Sequence, residues 1–477
     1  MLRIGIVNHH SACEGDQVAE LGCFAPEKPV WVARAPGRLD VMGGNVDYTG
    51  GMVLQGLLRE AVWVAVQRRT DDTIRVLNPG AAQFGWAISL QLPGCELCDP
   101  ESVRAHCDER KGSRWGRYVL GALYFLKRFH GCEGGAEVFI ASDLPLNRGV
   151  SSSAALEVAT LKAAAAAWGI SLDGVALATA GQWVENVVAG AACGIMDQAA
   201  IVLGRANHLL PMLCQPCRPF VPMTLPAGIC IWGIDSMAPR STSGEAYETA
   251  RAAAFMGYKL ICQIEGVDVV PEKDAAISRW TDARWNGYLS NLLVSEFQTR
   301  YEFRLPESLS GREFIKHAGN HIDPFTAIDP EREYPVRAAV RYATEENLRV
   351  QRVISLLEAA AHDGVASSLR SSLRLIGEIF RQSHIAYAEC GLGAAACDEL
   401  VARALNAGLP GAKMTGGGGG GVVAVLGCPD DWPIVRSIAQ EYGGQHGRMP
   451  HIFEGSSDGV DAFGVHTLQL AETRGVR

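Results

Sequence analysis

Nowhere does this 477-residue chain hold a run of about 18 apolar residues, so no stretch of it reads as a membrane-spanning helix. Its opening, MLRIGIVNHH, lacks the apolar segment and small-residue cleavage site of a secretory leader, and a cytoplasmic protein is therefore expected. No long basic block stands out. With 43 Lys and Arg against 52 Asp and Glu, the formal charge is −9, which argues against nucleic acid or an anionic membrane as partner and toward a small molecule. Two phosphoryl-transfer signatures are also missing. There is no G-x-x-x-x-G-K-[ST] loop and no H-R-D or D-F-G sequence, so neither P-loop nor protein-kinase chemistry is supported. The 14 cysteines, without a leader, read as buried thiols rather than a disulfide frame. Two C-x-x-C spacings, Cys95/Cys98 and Cys214/Cys217, raise a zinc site, but they lack knuckle context and lie far apart in sequence.

What is present is enough apolar residue, 48%, to build sizeable cores in two or three domains. Val30–Arg34 reads as a strand, Ala35-Pro36-Gly37 as a turn, and Ala61–Gln67 as a further strand. Helical patterns cover Tyr118–Phe129, Leu156–Trp168 and Val175–Val188, and later Glu248–Glu265, Asn347–Ala361 and Ser371–Ala388. Val422–Leu426 is a short buried strand. The stretch 267–334, rich in Pro, acidic and aromatic residues without a clean period, reads as a partly irregular insertion.

Three motifs carry chemistry. In Leu144–Ala159, LPLNRGVSSSAALEVA, a glycine and three serines run directly into an alanine-rich helical pattern. A helix start has free N–H groups and a favourable dipole for anions, and Gly149 permits close backbone approach, so the stretch suits a phosphate. The same residues would also make an ordinary serine-capped helix. In Ala35–Gln55, APGRLDVMGGNVDYTGGMVLQ, Arg38, Asp40, Asn45 and Asp47 fall within ten residues among glycines, a pattern suited to a polyhydroxylated ligand or to a solvated loop. In MTGGGGGGVVAVL, from Met414, the glycines run straight into a strand that would fix them beside a ligand or another backbone.

Taken together, in this order and spanning about Val30 to Leu426, the three motifs resemble those of the GHMP small-molecule kinases, within them the galactokinase and arabinokinase branch. The resemblance implies an α+β, two-domain fold. A ribosomal-protein-S5-like N-terminal domain would occupy 29–225 and a ferredoxin-like C-terminal domain 226–470, with the insertion at about 267–334 and the active site between domains. It also implies an enzyme that uses ATP with Mg²⁺ and transfers the γ-phosphoryl to the anomeric hydroxyl of a monosaccharide. Asn147, Gly149, Val150, Ser151, Ser152, Ser153 and Ala154 would cradle the nucleotide phosphates, and Ser153 with Glu185 would hold the metal. In ENVVAGAACGIMDQ, Asp197 falls on the catalytic aspartate, with Arg38 beside it holding that carboxyl ionised. Arg38, Gly44, Asn45, Asp47, Gly194, Asp197 and Tyr247 would contact the sugar. Trp115, Tyr118 and the region near Asn78 are candidates for the adenine pocket.

Galactokinases usually carry a Glu-His pair just before the sugar-binding aspartate, and here those positions are Gly44 and Asn45. A site without that grip on the exocyclic hydroxymethyl suits L-arabinose, which lacks the group. AFMG at Ala254, SGREFIKHAGNH from Ser310 and SHIAYAECGLG from Ser383 resemble the arabinokinase branch too. One departure is Pro239-Arg240, where the family often has Arg-His after the Asp-Ser turn. D-galactose as acceptor, or a sugar- and ATP-binding sensor without catalysis, are the alternatives, although intact Arg38, Glu185 and Asp197 speak against a sensor.

Overall fold

The computed structural model describes residues 23–238, 245–271, 280–363 and 366–470; Pro239-Arg240 and the opening decapeptide lie outside the described residues. Valine-rich alternation between residues 29 and 68 produces two long antiparallel strands, β1 (Pro29–Met42) and β2 (Met52–Arg68). They are joined in one sheet by β3 (Thr73–Leu77), β4 (Ser89–Pro93), β5 (Ala136–Ser142), β6 (His208–Leu213) and, from much later in the chain, β11 (Val465–Gln469). The order is β11-β1-β2-β5-β3-β4. Only β3 and β5 run parallel. The length of β2 lets it change partners, pairing with β6 over residues 52–56 and with β5 over residues 62–68.

Ala35-Pro36-Gly37, expected as a turn, instead lies inside β1, where the register shifts between Pro36 and Arg38. Pro36 has no N–H for the ladder, and the Arg38 N–H donates to the Val150 carbonyl at 3.2 Å rather than to β2. This bulge ties the strand to the serine loop.

The helices α1 (Gly116–His130), α2 (Ser152–Ala167), α3 (Gly174–Trp183) and α4 (Met196–Leu203) cover the sheet. α2 is buried almost all round, which its alanines permit, since their small side chains let a helix lie close on β1 and β2. The expected helices at 118–129, 156–168 and 175–188 correspond to α1, α2 and α3, the last continued by a wider π turn at Val184–Ala189.

A second, all-antiparallel sheet joins β7 (Cys230–Asp235), β8 (Gly411–Met414), β9 (Val422–Gly427) and β10 (Ile452–Phe453) in the order β8-β9-β7-β10. Helices α5 (Glu245–Glu265), α7 (Val336–Asp363), α8 (Ala366–Glu389), α9 (Ala395–Asn406) and α10 (Trp432–His446) belong to this half. The architecture is thus α+β with two sheets. Between α5 and α7 the chain is mostly turns and two-residue strands around α6 (Gly311–Ala318), yet it has a core of its own. Trp285, Leu289, Phe297, Tyr301, Phe314 and Tyr334 pack there against α5 and α7. We propose the domain division at about residue 225, as the sequence suggests, with Val465–Gln469 returned to the first domain because it pairs with β1.

The serine loop is gripped from two sides. A Cβ on Gly37 would lie 3.0 Å from the Val150 carbonyl, and one on Gly421, at φ +100°, 2.7 Å from the Arg148 carbonyl. Gly421→Ala is therefore expected to cost about 1–3 kcal/mol and lower the melting temperature. Gly419→Ala, also at positive φ but facing open space, should cost less. Equal losses in calorimetry would mean that the contact with the serine loop is not tight.

Candidate active site

Three residues of the serine loop, Asn147, Gly149 and Ser151, have φ between 58° and 72°, so the chain coils tightly before α2 begins. Ser151 occupies the N-cap position in left-handed geometry and does not cap. Its hydroxyl donates instead to Asp197 Oδ2 at 2.5 Å. The first N–H groups of α2, at Ser152, Ser153 and Ala154, are left without a side-chain cap, which is the anion-binding form of a helix start. Val150 is buried behind them, its carbonyl taken by Arg38.

Asp197 sits in the first turn of α4 and accepts from Arg38 Nε at 2.8 Å on its other oxygen. Arg38 Nη1 donates to the Gly149 carbonyl at 2.6 Å. The guanidinium is 2% exposed and the carboxylate 24%, so the acid is the member that reaches solvent. Burial works against the charge of Arg38, but Asp197, Asp40 and Asp47 outweigh it and hold its pKa above the ordinary value. Asp40 is wholly buried and paired: it accepts from Gln55 Nε2 at 2.7 Å and from the Gly416 N–H at 3.1 Å. It tethers the glycine loop to β1.

Asp47 lies in the turn after β1, buried, with the Met196 N–H 3.4 Å from Oδ2. A Cβ on Gly194 would come within 1.9 Å of that oxygen, so only glycine lets the carboxylate in. Burial and the charge of Asp197 push Asp47 up to about 6, against the pull of Arg251. Asn45, at φ 60°, is buried with neither side-chain amide atom paired among the described residues. Gly44 faces protein: a Cβ there would sit 2.0 Å from the Tyr387 hydroxyl, while its carbonyl accepts from Tyr342 Oη at 2.6 Å. Its expected contact with sugar is limited to its backbone. Tyr247, near the start of α5, is half-buried and edge-on to Tyr48, with ring centres 6.0 Å apart.

Glu185 projects from the π turn, a helix distortion common at functional positions. It accepts from Gln198 Nε2 at 2.7 Å, and the Ser153 hydroxyl is close enough to favour its charged form. Burial raises it to about 7, and Asp197 pushes the same way. Glu157, one helical turn beyond Ser153, is buried beside it and raised far above the carboxylate range by burial and by Glu185. Among the described residues no three His, Cys, Asp or Glu side chains are grouped to hold a metal, the C-x-x-C cysteines included. Of the adenine candidates, Trp115 is buried and donates to the Ala87 carbonyl at 2.9 Å, and Tyr118 lies near Glu185.

Residues 117–205 match the family model for the GHMP kinases N terminal domain, and residues 23–68 the galactokinase galactose-binding signature. The chain is 35% identical over 496 residues to L-arabinokinase from Arabidopsis thaliana, covering 93% of this chain and 47% of that protein. It thus spans about half the length of that relative. It is 28% identical over 437 residues to galactokinase from Roseiflexus sp. (strain RS-1), covering 91% of this chain and 93% of that one. Among solved structures, Lactococcus lactis galactokinase complexed with galactose superimposes with a TM-score of 0.70 at 20% identity, over 94% of this chain and 97% of that one. Methanococcus jannaschii mevalonate kinase gives 0.53 at 14% identity, over 89% and 98%. Over residues 117–205 and 23–68 the chain is thus similar to the GHMP kinases and to galactokinases, and it has the α+β fold of the solved galactokinase.

The raised Asp47 makes a test of the buried acid group. Its folded pKa exceeds its unfolded value of 3.8, so the folded state loses stability as pH rises from about 4 through 6. The full cost, on the order of 3 kcal/mol, is present above that range. Asp47→Asn is expected to raise the melting temperature of the ligand-free protein at pH 8 by a few degrees, and by less at pH 5. A gain that is the same at both values would remove the carboxylate as its cause.

Proposed function

We propose that the chain is an ATP- and Mg²⁺-dependent sugar 1-kinase, working in the cytoplasm, that passes the γ-phosphoryl of ATP to the anomeric hydroxyl of L-arabinose. The observation that carries this reading is the placement of Asp197, bracketed by Arg38 and Ser151 at the mouth of an uncapped helix. The relatives named above support it, since L-arabinokinase and galactokinase are both sugar kinases by name.

Phosphoryl transfer goes through a loose transition state and asks mainly for alignment and charge neutralisation. In this reading the N–H groups of Ser152, Ser153 and Ala154 bind phosphate oxygens, helped by the α2 dipole. The exposed face of Asp197 accepts a hydrogen bond from the anomeric hydroxyl, orienting it for in-line attack and taking its proton as the bond to phosphorus forms. Arg38 holds the Asp197 carboxylate in place and offsets its charge. Ser153 and Glu185 fit a magnesium ion: they are hard oxygen donors close to one another, and Mg²⁺ keeps several waters, so one hydroxyl and one carboxylate suffice. An ion held there would supply positive charge to the nucleotide phosphates.

For the acceptor, the support lies at Gly44. The Tyr387 hydroxyl occupies the direction a side chain would take, so no glutamate fits where galactokinases hold the hydroxymethyl. Asn45, Asp47, Gly194 and Tyr247 line the acceptor side in this reading. The match to the galactose-binding signature favours D-galactose as a secondary acceptor.

Incubation with ATP, Mg²⁺ and single sugars is expected to yield L-arabinose 1-phosphate, with kcat/KM for galactose lower by up to about 10²-fold. Equal or better kcat/KM with galactose overturns the choice of acceptor, and no transfer to any monosaccharide overturns the class. Asp197→Asn is expected to lower kcat by about 10²–10⁴-fold while nucleotide affinity, measured by calorimetry, stays within a few fold.

A further inference from the structure

The segment between α5 and α7 reaches the acceptor side through one buried ion pair. Asp323 is fully buried inside that segment and receives Arg251 bidentately, Nε to Oδ2 at 2.8 Å and Nη2 to Oδ1 at 2.9 Å. Thr326 Oγ1 donates to the same carboxylate at 2.7 Å, and the Phe325 N–H lies 3.4 Å from it. The guanidinium is further held over three rings, with centres 5.0 Å (Tyr48), 5.8 Å (Phe325) and 5.9 Å (Phe255) away. Such a fork, locked by charge, hydrogen bonds and stacking, has almost no freedom left.

Its third nitrogen is spare. Arg251 is 3% exposed, yet Nη1 is buried with no acceptor in hydrogen-bonding geometry among the described residues, although the Tyr247 phenol acts on the guanidinium. An unpaired donor on a permanent charge is costly to bury, and an exception of this kind asks for a missing partner. The surroundings indicate which. Arg251 stands one helical turn after Tyr247, whose phenol lies against the guanidinium, and it stacks on Tyr48, the residue after Asp47. Because Asp323 already neutralises the guanidinium, the missing acceptor need not be an anion; a neutral hydroxyl oxygen suffices.

We propose that Arg251, fixed by Asp323, binds a ring hydroxyl of the acceptor sugar through Nη1, so that the 280–334 segment helps set which monosaccharide is accepted. This rests on the sugar-kinase reading above and adds a residue and a source of specificity to it. The segment then works as part of the acceptor wall rather than as a surface decoration. Asn45, with both amide atoms unpaired, offers a second buried polar group near the same turn.

The test is calorimetric titration of the protein, saturated with a non-hydrolysable ATP analogue and Mg²⁺, with L-arabinose and its singly deoxygenated analogues. Wild type, Arg251→Lys and Asp323→Asn are compared. Arg251→Lys is expected to weaken L-arabinose about 10- to 100-fold with nucleotide affinity unchanged within twofold. For one deoxy analogue, the one lacking the partner hydroxyl, the difference between wild type and variant should vanish. Asp323→Asn, which keeps the arginine but loosens it, should show the same pattern at smaller amplitude, and it carries the test if Arg251→Lys does not fold. An unchanged sugar affinity in either folded variant, or an equal loss across every deoxy analogue, would overturn the proposal while leaving the kinase reading intact. Failure of the wild type to bind any monosaccharide would sink both.

Discussion

One buried guanidinium, that of Arg38, carries the geometry of the candidate active site. It lies at 2% exposure on a bulged strand, donates to Asp197 and to the Gly149 carbonyl, and feels the charges of Asp40 and Asp47 as well. Three structural units meet on it: the first strand, the serine loop and the start of α4. Without that cation, three carboxylates would face one another in low dielectric, where like charges are least tolerable. A lysine would not replace it, because the fork serves a carboxylate and a carbonyl at once from a rigid plane. The bulge at Pro36 is the backbone counterpart of the same arrangement, since it frees the Arg38 N–H for Val150.

The cleft is kept electrostatically tense before any ligand arrives. Burial has raised Asp47 to about 6 and Glu185 to about 7, and Glu157 further still. Arg251 offsets the rise of Asp47 only in part, and the amide atoms of Asn45 are buried without partners among the described residues. Such unmet demand lowers the stability of the empty protein, and ligands that meet it return stability by mass action. The surrounding scaffold bears the strain: an alanine helix pressed onto two long strands, and a second sheet whose glycine loop is tied back by Asp40.

Much of this was legible in the sequence, and the limits are instructive. The motifs could be read because their signals are local: glycines where backbones meet, serines at a helix start, carboxylates at short spacing. Four expected helices fall within longer elements, while 156–168 overruns α2 by one residue and 175–188 runs past α3 into the π turn. Ala35-Pro36-Gly37 misled, because its local preference is for a turn while pairing with β2 on both sides carries the strand through. The hydrogen bond from the Ser151 hydroxyl to Asp197 has no local signal, since it joins residues 46 positions apart. Glu157 could have been found, standing four residues after Ser153 on the same helix face. Arg251 and Asp323 could not, being 72 residues apart with no period linking them. The core of the 280–334 segment was hidden for a similar reason, since short turns bury aromatics without repeating.

The last strand of the first sheet has a consequence for how this unit can be joined to others. β11 pairs antiparallel with β1, setting Gln469 opposite Pro29, so the first and last described strands lie side by side. A unit closed in this way behaves like a bead hung on a string at one knot: flanking sequence can be attached on either side without stretching anything inside. Such a module suits a polypeptide about twice its length, as in the Arabidopsis relative, of which it matches 47%. The same closure means that the strand bearing Arg38 lacks its outer neighbour until residue 469 has emerged during synthesis, so this edge of the sheet is completed last.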